Sequence, residues 1–316
     1  MDKLVVSAAP HIKSGNSTTK VMLTVIIALL PTTVVGCIYF GLNAVLMVAV
    51  SVASCVFFEY AYQKIMGIKL KIDDLSAVVT GLLLALNLPS TTPLWMVVLG
   101  SFVAIVITKQ LFGGIGYNFA NPAIVGRIVV TLCFTEATSN YVLPFTSGTD
   151  AVSGATLLTQ ISSGTQLPEF WKVFLGLQGG CIGEVCSLAL IVGGIYLVAT
   201  NTISRIIPVF YIGTTFIVTA IFGQNPVYSV FSGGLLLGAI FMATDYVTSP
   251  ITTKGKMIFA IGCGIITAVI RIFGSNAEGV SYAILFMNIM TPLIESKTMR
   301  KTPFGTYKTK KEAKSQ

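Results

Sequence analysis

Charge is scarce in this sequence. Asp, Glu, Lys and Arg together make up 10% of its 316 residues, against roughly 25% in soluble globular chains. Apolar side chains fill 54%, and the mean hydropathy is +0.84. So few charges do not cover the surface of a 33.6 kDa soluble monomer. The deficit excludes a soluble enzyme, a disordered protein and a disulfide-stapled secreted module, and leaves a multi-spanning helical membrane protein. Histidine is scarcer still: His11 is the only one, and it lies in a polar N-terminal stretch. Cys37, Cys55, Cys133, Cys181, Cys186 and Cys263 form no CxxC pair. Neither a zinc site nor a cysteine-ligated iron–sulfur cluster is expected within the chain. Cys181 and Cys186 leave two readings open, a disulfide or small residues at the start of a helix. No cleavable signal peptide is expected, because the first apolar run follows a polar stretch and is long enough to be retained.

The net charge of +8 could suggest nucleic acid. Its placement argues otherwise, since no basic face interleaved with aromatics exists. The excess sits in the tail (Lys297, Arg300, Lys301, Lys308, Lys310, Lys311, Lys314) and in short loops between apolar runs. Ten such runs can be drawn, at 21–40, 42–62, 75–88, 94–108, 122–134, 185–200, 206–222, 227–244, 257–273 and 279–293. A simple span needs about 20 residues. Runs 75–88 and 122–134 fall short and touch Pro89 and Pro122, so they read as tilted or partly unwound helices buried by neighbours. With ten spans and a cytoplasmic N-terminus, 17 of the 20 basic residues fall in cytoplasmic segments. Lys172 and Arg271 fall outside, and Arg127 lies within span five. This positive-inside bias supports an even number of spans with both termini in the cytoplasm.

The expected fold is therefore an all-α integral membrane bundle of about ten transmembrane helices. Its organisation reads as a cytoplasmic N-terminal segment (1–20), a first five-helix repeat (21–134), a polar extracytoplasmic loop (135–184), a second five-helix repeat (185–295) and a basic cytoplasmic tail (296–316). GLLLALNLP from Gly81 begins span three, and GLLLGAIFMAT from Gly234 lies in span eight. Each is followed by a Thr/Ser-Pro turn, at Thr92-Pro93 and Ser249-Pro250. Five spans per repeat is an odd number, so the second copy must be inverted in the membrane, as in many transporters.

The loop holds Asp150-Ala-Val-Ser153-Gly154-Ala155-Thr156. Read by itself this is a turn followed by a helix start. As a motif, DxxSGAT resembles the flavinylation site shared by two related membrane proteins: the B component of the sodium-pumping NADH:quinone reductase and the D component of the Rnf electron-transport complex. Further stretches are similar to the same family: KQLFGGIGYNFANPA at 109–123, FMATDYVTSP at 241–250 and LFMNIMTPL at 285–293. The short N-terminal segment resembles the Rnf component rather than its longer counterpart in the quinone reductase. Tyr246 stands where many relatives carry Pro.

The resemblance implies a bacterial inner-membrane flavoprotein in an ion-translocating ferredoxin:NAD oxidoreductase. FMN would be joined through its phosphate to the Thr156 hydroxyl by a flavin transferase outside the cytoplasm, with Ser153, Gly154 and Ala155 leaving room and Asp150 binding the transferase's metal. A second, non-covalent flavin, riboflavin, is implied towards the cytoplasm, near Asn118, Asn121, Gly114 and Arg127. Amide groups can donate to and accept from an isoalloxazine ring; Asn121 can equally cap a helix ahead of Pro122. Arg127 has two readings, a group facing a flavin or helix end, or a side chain snorkelling to the cytoplasmic face. Asp245 can contact a cation or cap a turn. Electrons would pass between the two flavins, coupled to export of Na⁺ or H⁺. The implied partners are the other Rnf components (A, B, C, E and G), the flavin transferase and the lipid bilayer, with no nucleic acid. The competing reading is a secondary transporter or channel on the same repeat, with no redox cofactor and a continuous polar path between the halves; a third is a scaffold for other redox proteins.

Overall fold

A computed structural model describes residues 17–145, 157–163, 168–274 and 279–299. Among them the regular structure is helical. Helix α1 (Thr18–Phe40) is capped by the Ser17 side chain, which accepts from the Lys20 amide at 3.2 Å. Helix α2 (Leu42–Ile65) follows after Gly41. A one-turn 3-10 stretch (Ile72–Asp74) leads into α3 (Ser76–Leu86), and α4 (Leu94–Phe102) continues as a wider π-type helix over Val103–Gln110. Helix α5 (Pro122–Cys133) has Pro at its first position, where the missing N–H costs nothing. Three short helices follow, α6 (Thr135–Ser139), α7 (Leu157–Ser163) and α8 (Phe170–Leu175). Then come α9 (Ser187–Ala199), α10 (Ile206–Ile221) and α11 (Pro226–Val230). Helix α12 (Leu235–Leu237) runs on as π-type turns over Gly238–Met242. Helices α13 (Thr253–Phe273) and α14 (Val280–Thr298) complete the order.

Three of these helices, α1, α2 and α13, are long and apolar enough to cross a membrane. Five shorter apolar helices accompany them. Helix α1 exposes Leu23, Ile27, Leu30, Val34 and Ile38, a single stripe at helical spacing. Such a stripe is a liability in water and a lipid-facing surface in a bilayer.

Packing follows a regular plan. Helix α2 lies on α3 and α4, and α4 on α5; later in the chain α10 lies on α13, and α13 on α14. Two contacts join the earlier helices to the later ones, α1 with α9 and α5 with α14. The α1–α9 crossing is close because Gly193 faces the Ala28 carbonyl, where a Cβ would come within 2.3 Å of the oxygen. Small residues at such crossings let helix backbones meet where lipid supplies no hydrophobic drive.

The helix starts differ from the sequence reading at one point. Gly81 does not begin α3; it is the sixth residue of that helix, pressed against the backbone of Val52. The left-handed residue that opens α3 is Leu75 (φ 60°), and the one that opens α12 is Gly234 (φ 65°). The shared GLLL string therefore marks different places in the two helices.

The polar region after α5 is not solvent-facing throughout. Residues 179–187 are buried. Ile182 and Gly183 donate their amides to the Leu88 and Leu86 carbonyls at 3.2 and 2.8 Å, satisfying acceptors that the end of α3 leaves open. All six cysteines are free thiols, so the disulfide reading of Cys181 and Cys186 does not hold.

A Cβ on Gly183 would lie 2.6 Å from the Leu86 Cβ and 2.9 Å from its carbonyl oxygen. Gly183→Val should cost about 1–3 kcal/mol by overpacking and lower the thermal unfolding midpoint in detergent. Gly213→Ala, in open space within α10, should not lower it. Equal midpoints for the two variants would refute this packing.

Candidate functional site

The end of the bundle that carries the start of α1 contains an open cleft with a cavity volume of about 100 Å³. One wall is the face of α3 presenting Ser76, Val79, Thr80 and Leu83, positions that recur at helical spacing. Val21, Met22 and Val25 of α1 form a second wall, and Phe241 and Thr244 a third. Asn118, Asn121 and Lys109 line the cleft on the side of the α4–α5 connection.

That connection turns on Gly113, Gly114 and Gly116, with φ of 117°, 91° and 93°. These values suit glycine alone. They deliver Asn118 and Asn121 to the cleft. The Asn121 Oδ1 accepts from the Ala123 amide at 3.1 Å, and its Nδ2 donates to the Met242 carbonyl at 3.3 Å. The capping reading of Asn121 is thus present in the geometry, and the same residue faces the cleft. Asn118 Nδ2 donates to the Ala120 carbonyl at 3.0 Å. Gly114 shapes the turn without lining the cleft; its neighbour Ile115 lines it.

Asp245 and Tyr246 close the opposite side. Asp245 Oδ1 accepts from the Val247 amide, and its Oδ2 from the Thr248 hydroxyl, so it forms the turn foreseen for it while bordering the cleft. Burial pushes its carboxyl above the usual carboxylate range, and hydrogen bonds from Val247, Thr248 and Asn118 oppose that shift. The Tyr246 hydroxyl donates to the Thr202 carbonyl, tying the α9–α10 connection to the segment after α12. Apolar walls with a few amides and hydroxyls at the rim are the usual lining of a small-molecule site.

A buried ion pair sits beside the cleft, and sequence reasoning missed it. Lys109 Nζ lies 2.8 and 3.0 Å from the Glu59 carboxylate oxygens and donates to the Ser76 hydroxyl at 2.6 Å. Gln110 Nε2 donates to Glu59 Oε1 at 2.7 Å. Lys109 is 3% exposed and Glu59 1%. Lys109 is therefore no solvated flank charge, as the charge count along the chain had it. The available signal was Glu59 itself, an acid inside an apolar run that demands a partner.

Arg127 does not line the cleft. It lies further along α5, where Nη1 donates to Asn87 Oδ1 at 3.2 Å and to the Ser281 hydroxyl at 2.8 Å. Its Nη2 is 3.6 Å from Glu184. The snorkelling reading fails, because the side chain is 5% exposed and engages the buried 179–187 segment. Glu184 borders a second, smaller cavity of about 20 Å³, with Leu157, Leu158, Gln178 and Gly233. The motif Asp150, Ser153, Gly154, Ala155 and Thr156 lies outside the described residues; the described chain resumes at Leu157, on that second cavity. Among the described residues, no group of three or more His, Cys, Asp and Glu could hold a metal ion.

Residues 5–305 match the NQR2, RnfD, RnfE family. The chain is 47% identical to the D component of the Na(+)-translocating ferredoxin:NAD(+) oxidoreductase complex of Acetobacterium woodii, covering 98% of each chain. It is 40% identical to the D component of the proton-translocating ferredoxin:NAD(+) oxidoreductase complex of Clostridium ljungdahlii, over 95% of this chain and 96% of that one. It is 37% identical to the D component of the ion-translocating oxidoreductase complex of Stutzerimonas stutzeri, over 89% and 90%.

Removing one member of the Glu59–Lys109 pair leaves a buried charge without its partner. Glu59→Ala should cost about 3–5 kcal/mol, whereas Glu59→Met combined with Lys109→Met should cost much less. Thermal unfolding of the detergent-solubilised variants separates the two; a double variant as unstable as the single one would contradict the pairing.

Proposed function

The chain belongs to the NQR2, RnfD, RnfE family, and on that premise we propose that it is the membrane-embedded D component of an ion-translocating ferredoxin:NAD oxidoreductase and relays electrons between two flavins. The names of its relatives support the complex. The observation that carries the relay is the cleft at the α1 end, where the glycine turn of the 109–123 motif brings Asn118 and Asn121 against apolar walls.

In this reading the cleft opens to the cytoplasm and holds riboflavin. Thr156, the residue before Leu157 in the chain, would carry FMN as a phosphoester. A flavin supplies one- or two-electron exchange that no side chain here provides. The chain's own work is to hold and orient. Asn118 offers its amide at the rim, Thr80, Thr202 and Thr244 offer hydroxyls, and Val25, Leu83 and Phe241 exclude water from a ring face. On the far side, Leu157 and Leu158 would seat the tethered group against the second cavity.

Two inverted five-helix repeats are the architecture we propose, with ten helical segments spanning the bilayer. The packing plan supports it. The α2–α4 and α4–α5 contacts have counterparts in α10–α13 and α13–α14, while α1–α9 and α5–α14 pair matching helices of the two halves. Lys109 at the end of the first fourth span bonds Ser76, beside the left-handed start of α3. Arg271 near the end of α13 bonds the Ser229, Ser232 and Gly233 carbonyls at 2.6, 3.0 and 2.9 Å, beside the left-handed start of α12. Each half thus braces its third span from its fourth. Which ion is exported does not enter this reading.

Protein from a host with the flavin transferase should give a fluorescent band that survives denaturation, and the peptide containing Thr156 should carry the mass of an FMN phosphoester. Thr156→Ala should abolish both while the extractable flavin remains. Asn118→Leu should lose the extractable flavin and keep the fluorescent band. An unmodified Thr156 peptide from wild-type protein would end the relay proposal and favour a transporter without cofactor.

A further inference from the structure

The two cavities lie at opposite ends of the same helices. Leu197, near the end of α9, faces the larger cleft, and Val185, just before its start, faces the smaller cavity. Helix α9 has 13 residues, so the two are separated by about 20 Å. The segment from Gly233 to Asp245 likewise leads from one to the other.

The wall between them is polar at its centre. Leu83 lines the cleft, and its carbonyl accepts from Asn87 Nδ2 at 2.7 Å. Asn87 Oδ1 accepts from Arg127, and Arg127 reaches Glu184, which lines the far cavity. Ser281 of α14 holds the guanidinium from the other half of the molecule, and the Cys181 sulfur lies 3.8 Å from Nη2. A string of hydrogen-bonding groups thus crosses the interface of the two halves. Such a string would serve small cations well, but for one member. A guanidinium stays protonated under all biological conditions, and a fixed positive charge in a low-dielectric constriction repels cations and protons.

We propose that Arg127 is an electrostatic barrier that stops cations passing between the two cavities, with Glu184 as the counter-charge that holds it in place. The barrier matters in any chain that spans a membrane across which a gradient is built. The inference rests on the membrane reading and not on the presence of either flavin. The two members of the pair have opposite roles. Loss of the Arg127 charge leaves a carboxylate facing the far cavity and invites cations; loss of the Glu184 charge leaves the wall more positive.

The test uses the intact complex in sealed proteoliposomes without electron donor, with passive ²²Na⁺ uptake and collapse of an imposed pH difference as readouts. Arg127→Gln should raise passive cation flux roughly tenfold or more, the factor that about 1.4 kcal/mol of barrier controls. Arg127→Lys and Glu184→Gln should stay as tight as wild type. A purely structural pair would make Arg127→Gln and Glu184→Gln leak alike, and that result overturns the proposal. So do Arg127→Gln vesicles as tight as wild type. Should Arg127→Gln fail to assemble, the double variant Arg127→Gln, Glu184→Gln removes both charges while keeping polar volume. It should leak, and tight vesicles from it refute the barrier.

Discussion

A charge survives inside this bundle only where a partner meets it. That constraint organises the structure. Lys109, Arg127 and Arg271 are each 5% exposed or less, in a chain whose charged fraction is 10%. Removing such groups from water costs several kcal/mol each, and only well-placed partners offset it. The partners are structural elements as much as side chains. Lys109 meets Glu59 and Ser76, and so ties α4 to α2 and to the start of α3. Arg271 meets backbone carbonyls ahead of α12. Arg127 joins α5 to the end of α3, to α14 and to the 179–187 segment. Each cation thereby fixes where a short helix begins or ends.

This explains how helices too short to span by themselves hold their places. Leu75 adopts a left-handed conformation that costs an ordinary residue about 1–2 kcal/mol. Ser76, next in the chain, is held by Asp74 Oδ1 through its amide at 2.9 Å and its hydroxyl at 2.6 Å, and receives Lys109 as well. The turn is over-determined, so the strain persists. In the later helices Gly234 takes the same conformation without that cost. There a side chain would come within 2.7 Å of Glu184 Oε1, so glycine serves both the turn and the close approach of the acid that pairs Arg127.

Much of the helical plan was legible in the sequence because lipid imposes a simple rule: long apolar runs and satisfied backbones. The runs at 21–40, 42–62 and 257–273 coincide with α1, α2 and α13. Asn118 and Asn121 were singled out through the resemblance of the 109–123 stretch to a known family, and the structure sets both on the cleft. Other features depend on contacts far apart in the chain. Nothing near Glu59 says that its partner lies 50 residues on, and nothing near Arg127 points to Ser281, 154 residues away. The GLLL string misled about register, because Gly81 is the sixth residue of α3 whereas Gly234 immediately precedes α12, so equal strings occupy unequal positions. The burial of residues 179–187 was hidden for a related reason. Glycine and small polar residues read as loop, yet here they pack because the open carbonyls of α3 need donors.

The same bonds bear on how such a molecule can work. A secondary transporter exposes its centre to each side in turn, so the wall between its cavities must open. Opening this one would break Arg127 away from Asn87, Ser281 and Glu184, and would pull Ile182 and Gly183 off the Leu88 and Leu86 carbonyls. Each buried charge so separated would lose the partner that offsets its desolvation. Electron transfer asks for the reverse. It needs two ends held at a fixed separation, with little rearrangement and with water and ions kept out. A centre closed by one paired cation, flanked by a wide amide-lined cleft and a narrow acidic cavity, meets that demand. A wall bonded in this way is suited to the relay proposed above and resists the opening that alternating access requires.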